Sequence, residues 1–100
     1  MSTHTTSLER IAALHAVGDR HIGLAASTQR DRLLDALRTC GHVTTFEASR
    51  HLDLYDPRAQ AKELRQRGHE LLTTWRDVHT ESGQRHRIGV YMLARGGHHG

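Results

Sequence analysis

Apolar residues recur at helical spacing through the first two thirds of the chain and switch to strand-like alternation in the last third. Leu8, Ile11, Ala12 and Leu14 or His15 share one helical face, Thr6 and Glu9 have capping-box spacing, and Gly18 offers a stop; the spacing predicts a short amphipathic helix over about 7–17. Gly18 to Ala26, GDRHIGLAA, carries two glycines and no period and is expected to be a linker. Ser27 or Thr28 is expected to cap a second helix in which Leu33, Leu34 and Leu37 recur, with Arg30, Asp31, Arg32, Asp35 and Arg38 solvating its other faces and Gly41 ending it. His42-Val43 is long enough for one strand bridge. Thr44 and Glu47 repeat the capping-box spacing and open a helix through Leu52, with Ala48 and Leu52 on one face. Asp53, Leu54 and Tyr55 then form a turn, Leu54 being apolar and placed to plug the core.

The next stretch, Asp56 to Gly68 (DPRAQAKELRQRG), organises the rest. An Asp carboxylate can accept from backbone N–H groups at a helix start, Pro suits the first helical position, and Gly can adopt the left-handed conformation just past the end. At about 100° per residue Ala61 and Leu64 fall near Pro57, while Arg58, Lys62 and Arg65 lie together on an adjoining side. One side is narrow and apolar, and its neighbour is basic.

Beyond Gly68, HELLTTWRDVHT and RHRIGVYMLA flank ESGQ, and the strand-forming residues around Ser82-Gly83 predict a β-hairpin. Leu71, Thr73 and Trp75 share one strand face, and Tyr91 and Leu93 share one face of the partner, with Gly89 between strand ends. Those faces are expected inward; a one-residue shift would instead bury Ile88, Val90 and Met92.

At 100 residues the chain suits one domain with a modest core, and with only four aromatics that core must lean on Leu and Ala. No apolar run approaches the roughly 20 residues a membrane span needs, and no secretory signature opens the chain, so the expected localisation is cytoplasmic. The net charge of +3 is unevenly spread: residues 1–57 hold six Arg against seven acids, whereas residues 58–100 hold eight Lys or Arg against four acids. Positive charge therefore gathers on the third predicted core helix and the hairpin. Ten His raise the question of a metal, with His79 and His86 flanking the turn and His98-His99 near the end, but one Cys and no paired ligand spacing leave no closed zinc set. There is also no nucleophile–base pattern, Gly-rich phosphate loop or paired-acid spacing. The expectation is a non-enzyme without cofactor, metal or small-molecule ligand.

Ser27–Leu37 reads STQRDRLLDAL, Val43–Ala48 VTTFEA, Ala61–Gly68 AKELRQRG and Tyr91–Leu93 YML. In this order and spacing they resemble the winged helix-turn-helix class of DNA-binding domains, and more narrowly the small helix-turn-helix proteins of bacteriophages and prophages. The resemblance implies an α+β fold: a three-helix core plus a C-terminal β-hairpin wing over residues 27–94, here with an N-terminal extension (1–26) holding an extra helix and a flexible tail (95–100). It implies double-stranded DNA as partner, in the role of a transcriptional regulator or an excisionase-like accessory factor. A winged-helix module for protein contact is the alternative.

On this architecture the candidate DNA-binding residues are Arg58, Ala59, Lys62, Arg65 and Gln66 on the recognition helix, Thr45 at the start of the preceding helix, and Arg76, Arg85 and Arg87 on the wing. A charged helix face is ordinarily just solvated, and charged strand residues ordinarily guard an edge; position on a helix-turn-helix is what singles these out. Trp75 and Tyr91 are expected to pack as core rather than to stack on bases. The Leu8, Ile11, Ala12, Leu14 stripe must be covered, by its own domain, another protein or a second copy, so a homodimer through the N-terminal helix is a further expectation.

Overall fold

Residues 7–94 are described by the computed structural model. They run α1 (Leu8–Arg20), α2 (Ala26–Cys40), β1 (His42–Thr44), α3 (Thr45–Arg50), α4 (Pro57–Gln66), β2 (Leu71–His79) and β3 (Arg85–Leu93). The strands form one antiparallel sheet in the order β1-β3-β2. Four helices and this sheet make the α+β winged helix-turn-helix architecture with an extra N-terminal helix. Among the described residues no helix is long and apolar enough to cross a membrane.

Helix α1 is longer than its spacing predicts. Its cap is Ser7, whose hydroxyl accepts from the Arg10 N–H at 3.1 Å, while Thr6 lies outside the described residues. Gly18 does not end it; the chain stays helical to Arg20, and the His21 N–H closes the last turn on the Gly18 carbonyl at 3.1 Å. The reason is packing: Leu14 and Val17 are fully buried in the common core, holding this stretch of helix down. Leu8 and Ala12 of the expected stripe stay exposed and Ile11 is half-buried. Two buried side chains at about 2 kcal/mol each dock α1 on its own domain, while the Leu8 and Ala12 part of the stripe is left open to solvent.

Helix α2 begins earlier than expected. Its N-cap is Ala25, without a side-chain cap, and neither Ser27 nor Thr28 serves. Leu33, Ala36 and Leu37 are buried, and Gly41, at φ 85°, ends the helix in the left-handed region where a Cβ is costly. Helix α3 opens with the expected capping box: Thr44 Oγ1 accepts from the Glu47 N–H, and Glu47 Oε1 accepts from the Thr44 N–H, both at 3.0 Å. It stops at Arg50, short of Leu52, yet Leu52 and Leu54 are both buried, the latter as the plug between helices.

The hairpin register is Leu71↔Leu93, Thr73↔Tyr91, Trp75↔Gly89, Asp77↔Arg87 and His79↔Arg85. Leu71, Tyr91 and Leu93 join the helical core, so the expected face is the inward one. Trp75 departs from expectation. It lies on the inward side, but the hairpin runs past the helices there, and the indole is 58% exposed. Val78 and Val90, on the opposite face, are buried instead. The same alternation puts His79 and His86 on opposite faces, since His86 faces Val78 across the ladder.

Candidate nucleic-acid interface

Helix α4 is placed by its own caps and by α2. Asp56 Oδ1 accepts from the Ala59 N–H at 3.2 Å, Pro57 takes the first helical position, and Gly68, at φ 97°, turns the chain into the wing. Gln60, Ala61 and Leu64 face the core, which leaves Arg58, Ala59, Lys62, Arg65 and Gln66 on the exposed side. The predicted split between a narrow apolar side and a basic side is present, with Gln60 as an added inward residue.

Two α2 side chains that sequence reasoning assigned no such part fix the turn before α4. Arg32, expected to solvate an outer face, is only 6% exposed. Its Nη1 donates to the Leu52 carbonyl at 2.8 Å, its Nε to that of His21 at 3.0 Å, and its Nη2 to that of Gly23 at 2.9 Å. The C-cap of α1, the linker after it and the turn after α3 thus direct carbonyl groups at one guanidinium. Gln29 donates through Nε2 to the Leu24 carbonyl at 2.9 Å and accepts the Tyr55 N–H on Oε1 at 3.1 Å. These bonds tie the 21–24 linker and the 52–55 turn to one helix face, and the turn holds Asp53 at φ 55°. The available sequence signal was position: 29 and 32 fall on the same α2 side as Leu33 and Ala36.

A parallel tie runs from α1. Arg10 Nε donates to Glu47 Oε2 at 2.7 Å, and Arg10 Nη2 donates to Glu47 Oε1 at 3.1 Å and to the His42 carbonyl. The hydrogen bond to Glu47 raises the Arg10 pKa against the opposing effect of burial. On the other side of α1, Arg20 Nε and His21 Nε2 both reach Asp35 Oδ2, at 3.0 and 2.8 Å. The Arg20 hydrogen bond, more than that from His21, lowers the Asp35 carboxyl to about 2.

The predicted wing residues do not share one surface. Arg85 and Arg87 project to the inward side, with Trp75 and Gly89, whereas Arg76 pairs with Ile88 on the other face. Arg65, a candidate DNA contact, donates through Nε to the Leu71 carbonyl at 3.0 Å and through Nη2 to Thr73 Oγ1 at 2.7 Å, joining α4 to the root of the wing. Burial raises the Tyr91 phenol pKa, while nearby Arg58 and Arg65 pull it down; the cationic side of α4 thus approaches the inward sheet face. Thr45, the first residue of α3, comes in from above: a Cβ built on Gly89 would meet Thr45 Cγ2 at 3.2 Å and Trp75 Cζ3 at 3.5 Å. The inward wing face, the start of α3 and α4 therefore adjoin, with Arg87 packed 5.5 Å from the Trp75 ring centroid. Trp75 is the member of this surface that sequence reasoning left in the core.

Helix, strand, two helices and hairpin in this order define a winged helix-turn-helix. The chain belongs to the winged helix-turn-helix domain family, whose pattern matches residues 28–96. Domains of this class bind DNA, the second helix of the motif entering the major groove. No curated protein and no solved structure matches the chain.

Proposed function

We propose that the protein binds double-stranded DNA through α4 and the wing, as a transcriptional regulator of the phage or prophage type or as an excisionase-like accessory factor. The observation that carries the reading is the exposed, cationic side of α4, its opposite side buried and the turn before it pinned by Gln29 and Arg32. Arg58, nearest the helix start, is assigned to a base edge with Ala59, Lys62 and Gln66 beside it. Thr45, Arg85 and Arg87 are assigned to the backbone flanking that groove. Arg65 enters mainly as the tie between helix and wing, and Arg76 as a contact only for DNA that wraps past the hairpin edge. The action is cytoplasmic, on the host chromosome.

Because the N-terminal helix packs on its own domain, the proposal takes the monomer as the binding unit; a homodimer would have to pair through surfaces other than Leu14 and Val17. The deciding experiment is a gel shift on random-sequence duplex DNA at rising salt. Retardation that weakens steeply with salt is expected from phosphate contacts. No retardation at the lowest salt would return the protein-contact module as the better reading.

A further inference from the structure

Trp75 is the largest exposed apolar side chain on the candidate surface, and its setting is specific. The far end of its indole leans across β3 over Gly89, the one position of that strand without a side chain to obstruct it. Thr45 approaches the same glycine from α3, and the Arg87 guanidinium lies against the ring. Held by these neighbours, the indole rests on the sheet rather than standing up from it, so it is not shaped as a wedge for prying base pairs apart. More than half of it is nevertheless open to solvent.

An intact duplex offers such a ring only base edges, sugars and phosphates, because each base face is already stacked on its neighbours. An unpaired base offers a complete face, and stacking on an aromatic ring, with an arginine alongside, is the usual way a protein holds one. Arg85 and Arg87, on the same face of the wing and both toward its tip from Trp75, are placed to take phosphates on that side of the base. We propose that Trp75 is a stacking site for an unpaired nucleobase, so that the protein prefers duplex DNA carrying a single-stranded extension over the same duplex with blunt ends. The inference rests on the duplex-binding reading for α4 and adds a second kind of nucleic-acid contact on the wing.

Trp75 is the only tryptophan in the chain, so its fluorescence reports the site directly. The wild-type protein is titrated with a fluorescein-labelled random-sequence duplex, blunt or bearing a six-thymine overhang, reading DNA anisotropy for binding and acrylamide quenching of Trp75 for contact. The overhang is expected to raise affinity about tenfold, the size of one stacked base, and to protect Trp75 from acrylamide more than the blunt duplex does at equal saturation. Trp75→Phe should keep much of the overhang preference and Trp75→Ala should abolish it, with an unchanged cooperative thermal melt as the control for a folded protein. Equal affinity for the two DNAs, or Trp75 no better protected by the overhang than by the blunt duplex, overturns the stacking site and leaves the duplex reading intact. Failure of both DNAs to bind overturns both.

Discussion

Arg10 on α1 and Glu47 on α3 meet at 2.7 Å, through the same carboxylate that caps α3 by accepting the Thr44 N–H. Helix α1 is thereby attached to the first helix of the helix-turn-helix motif at the residue that completes its capping box. Arg10→Ala should remove a two-pronged hydrogen bond to the mostly buried Glu47 carboxylate and cost about 2 kcal/mol, read as a lower urea midpoint with unchanged slope. A loss below about 0.5 kcal/mol, the range of an exposed pair, would show that the contact does not bear on α3.

Removal of residues 1–26 extends the same logic. It strips Leu14 and Val17 from the core and leaves Arg32 without the His21 and Gly23 carbonyls. The truncated chain should lose cooperative thermal unfolding and expose apolar surface to a dye such as ANS. A truncated protein that melts cooperatively near the parent temperature would make α1 an accessory and reopen a role for it in pairing two chains.

Arg32→Ala removes the donor that faces carbonyls from both the linker and the turn. We expect a loss of about 2–3 kcal/mol, moderated where water enters the adjoining cleft of about 440 Å³. Arg32→Lys should recover only part, because one ammonium cannot reproduce a planar fork. Equal stability of the Lys variant and the parent would show that charge alone suffices.

Arg58→Ala should reduce preference for a cognate site by about 1–3 kcal/mol while sparing nonspecific binding. Arg85→Ala combined with Arg87→Ala should instead make the slope of log K against log salt shallower by about 0.9 for each phosphate that is no longer neutralised. The pair separates the roles: a uniform loss for Arg58→Ala would move it to the backbone, and an unchanged slope for the wing variant would turn the hairpin away from DNA.

Stability should fall with acid in two stages. Burial, followed by the charge of Arg10 for His42 and of His15 for His51, keeps both imidazoles below their ordinary value of 6.5. The unfolded chain therefore binds these protons more readily, and stability is complete above that pH and declines below it. Asp35 is held at about 2 against an ordinary 3.8, so its contribution is present above 3.8 and is lost as pH falls toward 2. Urea midpoints measured across this range should show both declines; Asp35→Asn should flatten the second alone, and an identical profile in that variant would contradict the assignment.

Much of the candidate site was legible because its determinants are local. Asp56, Pro57 and Gly68 bound α4 through caps within a few residues of one another, and Thr44 with Glu47 did the same for α3. What was not legible depended on contacts distant in sequence. Alternation placed Trp75 on the inward face, but only the reach of the helices decides whether a residue on that face is covered. Arg32 looked like a surface residue and Gln29 drew no reading, because their partners, His21, Gly23 and Leu52 for the one and Leu24 and Tyr55 for the other, are backbone groups that no side-chain pattern advertises. Gly18 looked like a stop because the packing of Val17 that carries the helix past it is tertiary.

The place of β3 in the middle of the sheet governs when a newly made chain becomes competent. Residues 42–44 emerge early but pair only with residues 90–92, and β2 has the same strand as its partner. The helices can condense while the ribosome is still adding residues, but without Tyr91 and Leu93 their core stays open and no wing exists. Closing so long a loop is the slow step of such a topology. Completion of one strand therefore brings the sheet, the wing and the sealed core into being together, and a chain lacking residues 90–93 has neither wing nor closed core.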